Sequence, residues 1–132
     1  MKNGLVILIS TFMLAGLFSS FVSGAVWTML GSAKVHGAGV DHDVIYVTGS
    51  RGDFTAIKLF VVNEGIEFEH VIIHFGNGTQ QEAMIRDFIP AGGETKVIDL
   101  AGHDRVIYSV VFYYKSNPAT KTKGKVELYG RR

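Results

Sequence analysis

Phe54–Thr79 reads FTAIKLFVVNEGIEFEHVIIHFGNGT, and this stretch decides the fold class. Two apolar runs, Phe54–Val62 and Ile66–Phe75, are joined by Asn63-Glu64-Gly65, and Asn77-Gly78 closes the segment. Both runs are dense in Val, Ile and Phe, which suit a pleated, half-buried surface, and both are bounded by turn residues. The pattern predicts two strands paired in a hairpin. In the first run Thr55, Ile57, Leu59 and Val61 share one face, while Ala56, Lys58, Phe60 and Val62 share the other. Lys58 marks that second face as partly wet. In the second run Glu67 and Glu69 have the parity of Val71, Ile73 and Phe75. That face therefore passes from solvent to core, or the register shifts at a bulge near His70.

Outward from this pair the chain continues in short strands. Val26–His36 alternates Trp27, Met29, Ala33 and Val35 against Thr28, Ser32, Lys34 and His36, a half-buried first strand. Val44–Gly49 is a short β-branched and aromatic run, and Ser50-Arg51-Gly52-Asp53 turns the chain into the pair. Downstream, Gln80–Ile89 alternates, Pro90-Ala91-Gly92-Gly93 reads as a tight turn, and Glu94–Leu100 and Arg105–Ser116 are further strands. Val106–Tyr114 is apolar on both faces, as a central strand should be. Asn117–Thr122 is a polar loop, and Lys123–Gly130 is a last strand whose lysines mark it as an edge. Eight strands and seven connections, with no helical period beyond the N-terminal segment, predict an all-β fold. The expected architecture is about eight antiparallel strands in a jelly-roll-like β-sandwich, a closed barrel being the alternative.

The first segment stands apart from these strands. Met1-Lys2-Asn3-Gly4 is a short basic region, Leu5–Phe18 is apolar, and Ser19–Ala25 is rich in small polar residues. This is the pattern of a secretory signal peptide over residues 1–24, followed by one β-sandwich domain over 25–132. Lys2 and Lys34 bracket a charge-free stretch long enough for an uncleaved membrane anchor, the one expected route to a membrane. Ser19, Ser20, Ser23 and Gly24 break that stretch where cleavage is expected. The mature protein is then periplasmic or extracellular, and its about 107 residues suffice for a packed core without staples. The full chain of 132 residues holds 13 Lys and Arg against 12 Asp and Glu, so losing Lys2 leaves a net charge of zero. Nucleic acid is therefore not an expected partner, because phosphate binding needs a basic surplus on one face. The chain has no cysteine, which excludes disulfides and thiolate chemistry.

Several elements resemble one family: Trp27-x-x-Leu30-Gly31, Asp41-x-Asp43-x-Ile45, Ile57-Lys58-Leu59, Phe75-Gly76-Asn77-Gly78, Ala91-Gly92-Gly93-Glu94-Thr95, Ile98-Asp99-Leu100 and Glu127-Leu128-Tyr129-Gly130-Arg131. Together they resemble a family of small exported bacterial proteins catalogued only as a domain of unknown function. The resemblance implies bacterial origin and export, and it brings no reaction, ligand or catalytic residue.

No serine, histidine and acid fall in a nucleophile-elbow context, and no Gly-rich phosphate loop opens a helix. The expected function is therefore non-enzymatic: binding of a glycan or a protein in the cell envelope or outside the cell. His36, Asp41, His42 and Asp43 form the densest ligand-type cluster, and they are the candidate site for Ca²⁺ or Zn²⁺ in a metal-binding alternative. The bland account is that Asp41 and Asp43 stabilise turns. His70 and His74 lie on one strand face, as donors or as ordinary sheet residues. Arg51-Gly52-Asp53 and Asn77-Gly78-Thr79 match short recognition tripeptides, but both read first as turns. For a sugar ring the candidates are aromatic: Trp27, Tyr46, Tyr113 and Tyr114, drawn from a set that includes Tyr108 and Tyr129. Each has an apolar face with a polar handle, though in a small sandwich such rings also build the core. A structural subunit assembling through a sheet edge is the remaining alternative.

Overall fold

A computed structural model describes residues 26–37, 39–49, 52–115 and 124–132. The expected leader, its anchor alternative, Arg51 and the Asn117–Thr122 loop lie outside the described residues. Among those described, nine strands form: β1 (Trp27–Lys34), β2 (His42–Tyr46), β3 (Asp53–Phe54), β4 (Ala56–Val62), β5 (Ile66–Phe75), β6 (Gln80–Ile89), β7 (Ile98–Asp99), β8 (Arg105–Tyr114) and β9 (Lys125–Arg131). They lie in two antiparallel sheets. One runs β1-β9-β4-β7, and the other runs β2-β8-β5-β6 with β3 paired to β8. The all-β sandwich is as expected. The ninth strand arises because the run Phe54–Val62 is divided at Thr55, whose N–H and hydroxyl both donate to the Arg131 carbonyl.

Two expectations are corrected. The central runs do not pair with each other: β4 lies in one sheet and β5 in the other. Both hydrogen-bonding sides of β4 are taken, by β9 and β7, and both sides of β5 by β6 and β8. The Asn63-Glu64-Gly65 turn, with Asn63 at φ 75°, therefore carries the chain across the sandwich. The two runs meet through their side chains instead. Ile57, Leu59 and Val61 of β4 join one buried cluster with Phe68, Val71 and Ile73 of β5, all essentially without solvent contact. Fully burying each such side chain is worth roughly 1.5–3 kcal/mol. The hairpin is one strand later, β5–β6, closed at Asn77-Gly78 with Gly78 at φ 90°.

The last strand is also not an edge. β9 sits between β1 and β4. Val126, Leu128 and Gly130 face the core, and the half-exposed Lys125, Glu127, Tyr129 and Arg131 face outward. Charge on alternate positions marks the wet face of a strand, and an interior strand of a one-side-solvated sheet has such a face too. A Cβ at Gly130 would come within 2.8 Å of both Leu30 and Phe54, so the core closes directly over that backbone.

Candidate functional site

The outer face of the five-stranded sheet concentrates the aromatic and imidazole side chains. Cross-strand register places His42, Tyr113, His70 and Met84 in one row across β2, β8, β5 and β6. A second row holds Val44, Val111, Ile72 and Glu82, and a third holds Tyr46, Ser109, His74 and Gln80. Alternation puts all of them opposite the core-facing Ile45, Val71, Ile73, Val110 and Phe112.

In the first row three rings stack. Tyr113 lies 4.3 Å from His70 at an interplanar angle of 13°, and 5.0 Å from His42 at 29°. Asp41 holds His42 through a 2.8 Å contact to Nδ1, and Glu82 approaches His70 Nε2 at 3.6 Å. The hydrogen bond with His42 holds the Asp41 carboxyl below its ordinary range. The rings therefore brace three strands edge-up, with the faces of Tyr113 already covered.

At the other end of the face two rings remain open. The β5–β8 register jumps from His74↔Ser109 to Phe75↔Ile107, which leaves Tyr108 as an extra residue. This bulge swings Tyr108 out to 63% exposure. Tyr46, 54% exposed, meets it edge-to-face at 5.9 Å. Beside them is a depression of about 360 Å³ lined by Val44, Val111, His74, Ser109 and Thr79 together with the two tyrosines. Its floor is fixed from below and from one side. Arg105 donates to Thr79 Oγ1 at 2.9 Å and to the Ala101 carbonyl at 2.7 Å while lying 3.6 Å over the Phe75 ring. Gly31 of β1 packs against the backbone of β2 so closely that a Cβ there would overlap the Tyr46 carbonyl oxygen. The result is an apolar rim with three convergent polar groups: an imidazole and two hydroxyls.

The expected metal cluster is divided between two environments. Asp43 faces inward and is nearly buried, and its carboxylate accepts from the His36 backbone N–H at 3.2 Å and from the Tyr114 hydroxyl at 2.6 Å. His36 Nδ1 lies 2.5 Å from its other oxygen. Asp41 and His42 pair separately on the outer side of β2. Among the described residues no group of three or more His, Asp or Glu side chains is arranged to hold a metal ion.

The aromatic candidates are also divided. Tyr46 and Tyr113 share the outer face just described. Tyr114 points the other way into the core and is 3% exposed. Burial and the Asp43 hydrogen bond push its hydroxyl up to about 12. Trp27 lies on the other sheet, flanked by Lys58 at 4.4 Å and Arg131 at 5.3 Å from its ring, and these cations pair with Glu94 and Asp99. Tyr129 contacts Phe60 on that same sheet, and burial with its bond to Glu127 raises its hydroxyl above the ordinary range. The site thus adds Ser109 and Thr79 to the residues singled out in the sequence, and it brings Tyr108 and His74, named there separately, to one depression. The shared parity of His70 and His74 was a readable signal, and the bulge that exposes Tyr108 was not.

Comparisons with other proteins bear on fold and family. AlgX of Pseudomonas aeruginosa is similar in structure at a TM-score of 0.52 and 14% identity, over 81% of this chain and 26% of its own. This chain therefore spans about a quarter of the length of AlgX, and the likeness is one of fold. Weaker likenesses are the SPBc2 prophage protein YomS (TM-score 0.43, 12% identity, 83% of this chain and 94% of that one) and a family 29 carbohydrate-binding module (0.41, 8%, 82% and 84%). No curated protein matches the sequence. The domain of unknown function DUF2541 matches residues 5–130, and the chain belongs to that family.

Proposed function

We propose that this protein is a non-catalytic binding module that holds a sugar ring against Tyr108 and Tyr46 in the depression on the outer sheet face. The signal-peptide pattern read in residues 1–24 supports export, so we assign the module to the cell envelope or the outside of the cell. One observation carries the reading: two well-exposed tyrosines stand beside a cavity whose polar groups are His74, Ser109 and Thr79. A sugar ring has an apolar face of C–H bonds and a rim of hydroxyls. Tyrosine offers an apolar face with a polar handle; the imidazole and the Ser109 hydroxyl can accept from and donate to that rim, and Thr79 Oγ1, whose proton goes to Asn77 Oδ1, can accept from it. Neither tyrosine is needed for the core, so each is free to serve a ligand.

The test is a glycan array probed with the purified protein and with Tyr108→Ala and Tyr46→Ala. Binding to one class of sugar is expected, with affinity falling about tenfold in each variant, since about 1.4 kcal/mol corresponds to a tenfold change. Binding that survives both substitutions, or a folded protein that binds no glycan, refutes the reading.

A further inference from the structure

We infer that the same face carries a second subsite, and that its ligand is a linear, uncharged oligosaccharide rather than a single terminal sugar; this rests on the sugar-binding reading above. A second depression, of about 420 Å³, is lined by Glu67, Glu69, His70, Met84, Arg86 and Lys115. It lies at the far end of the same outer face. His70 is its wall, and His74, four residues along β5, lines the first depression. At 3.3 Å per residue these two histidines are about 13 Å apart along the strand, longer than one sugar ring. The stacked rings of Tyr113 and His70 stand on this path, and a chain that enters both ends must pass over them.

The second depression has its own construction. β5 and β6 lose register between Phe68 and His70, where Glu69 stands opposite Ile85 and Arg86. Arg86 sits there in the left-handed region at φ 47°, which turns its side chain out of the regular alternation. Lys115 Nζ lies 3.2 Å from Glu67 Oε2 across the opening. The charges identify the class of ligand. Two carboxylates are matched by two cations here, and the first depression holds no carboxylate, arginine or lysine. Such a surface offers paired donors and acceptors to hydroxyls and no net field to attract a polyanion.

The experiment is titration calorimetry on the full chain with two ladders, glucose to cellohexaose and mannose to mannohexaose. It is run on the native protein and on Arg86→Ala/Lys115→Ala, both groups being on the surface. The expected result is affinity that rises at least tenfold from monosaccharide to hexasaccharide in one ladder. The double variant should lose that gain while binding the short members as before. Equal affinity for monosaccharide and hexasaccharide, abolished by Tyr108→Ala, overturns the second subsite and leaves the single-sugar site standing. A length-dependent gain that survives in the double variant also overturns it. Silence from both ladders in a folded protein that binds a single-sugar glycan on the array overturns the inference alone, and silence in both assays overturns the two together.

Discussion

Replacing Tyr114 by Phe removes one oxygen atom, and the structure sets what that costs at two pH values. The hydroxyl donates to the nearly buried Asp43 carboxylate at 2.6 Å and accepts from the Gly37 N–H at 3.3 Å. A hydrogen bond to a charged group contributes about 1.5–3 kcal/mol, and among the described residues Asp43 would keep His36 alone as a side-chain partner. Tyr114→Phe should therefore destabilise the protein by about 2 kcal/mol near pH 8, a drop in urea midpoint of roughly 1–2 M. The pH dependence then runs in the opposite direction. Burial, and next the Asp43 bond, raise the folded hydroxyl from an ordinary 10 to about 12. Below pH 10 both states carry the proton and the full contribution is present. Above it the unfolded chain ionises first, so the native state holds the extra proton and stability falls as pH rises towards 12. By pH 11 the native protein should have lost about 1.4 kcal/mol that the phenylalanine variant cannot lose. Urea unfolding of both proteins from pH 8 to 11, followed by circular dichroism, reads the gap directly. A gap that is absent at pH 8, or that stays constant to pH 11, refutes the reasoning.

Other outcomes follow from the same geometry. Gly31→Ala should destabilise by more than 1 kcal/mol and weaken sugar binding together, because the new Cβ overlaps the Tyr46 carbonyl; an unchanged midpoint and affinity would contradict that packing. Leu128→Ala, at a fully buried position of β9, should cost about 2–5 kcal/mol by denaturant melt, whereas a cost below 1 kcal/mol would contradict its place in the core. Ca²⁺ and Zn²⁺ should leave the thermal midpoint unmoved, since Asp43 is engaged by His36 and Tyr114 while Asp41 pairs with His42. A metal-dependent rise that vanishes in Asp41→Ala or Asp43→Ala would restore the metal alternative.

Periodicity made much of this fold legible. The parity of Ile57, Leu59 and Val61 named the buried face of β4, Glu67 and Glu69 pointed to either a change of face or a bulge in β5, and Asn77-Gly78 marked the turn that follows it. These are local signals, written within a few residues of where they act. The pairing of strands was not legible in the same way. A run of Ile, Val and Phe reports that it is buried, but the same burial results whether its neighbour in sequence lies beside it or across the core. The lysines and arginine of β9 likewise reported a wet face without saying which strands flank it.

The candidate site divides along the same line. Sequence alone determined that Tyr46, Tyr113, His70 and His74 lie in strands and that His70 and His74 share one face, because alternation is a property of a single chain segment. It also showed a chemistry of rings and hydroxyls without thiols or a surplus of charge. Only the tertiary structure decided that Tyr46 and Tyr108 open onto one depression, that Tyr113 is covered by two imidazoles, and that Tyr114 and Asp43 are bonded in the core. Those outcomes depend on cross-strand register and on a one-residue bulge, which are set by partners far away in sequence. One inserted residue reverses which side of a strand meets water, and no local pattern records it.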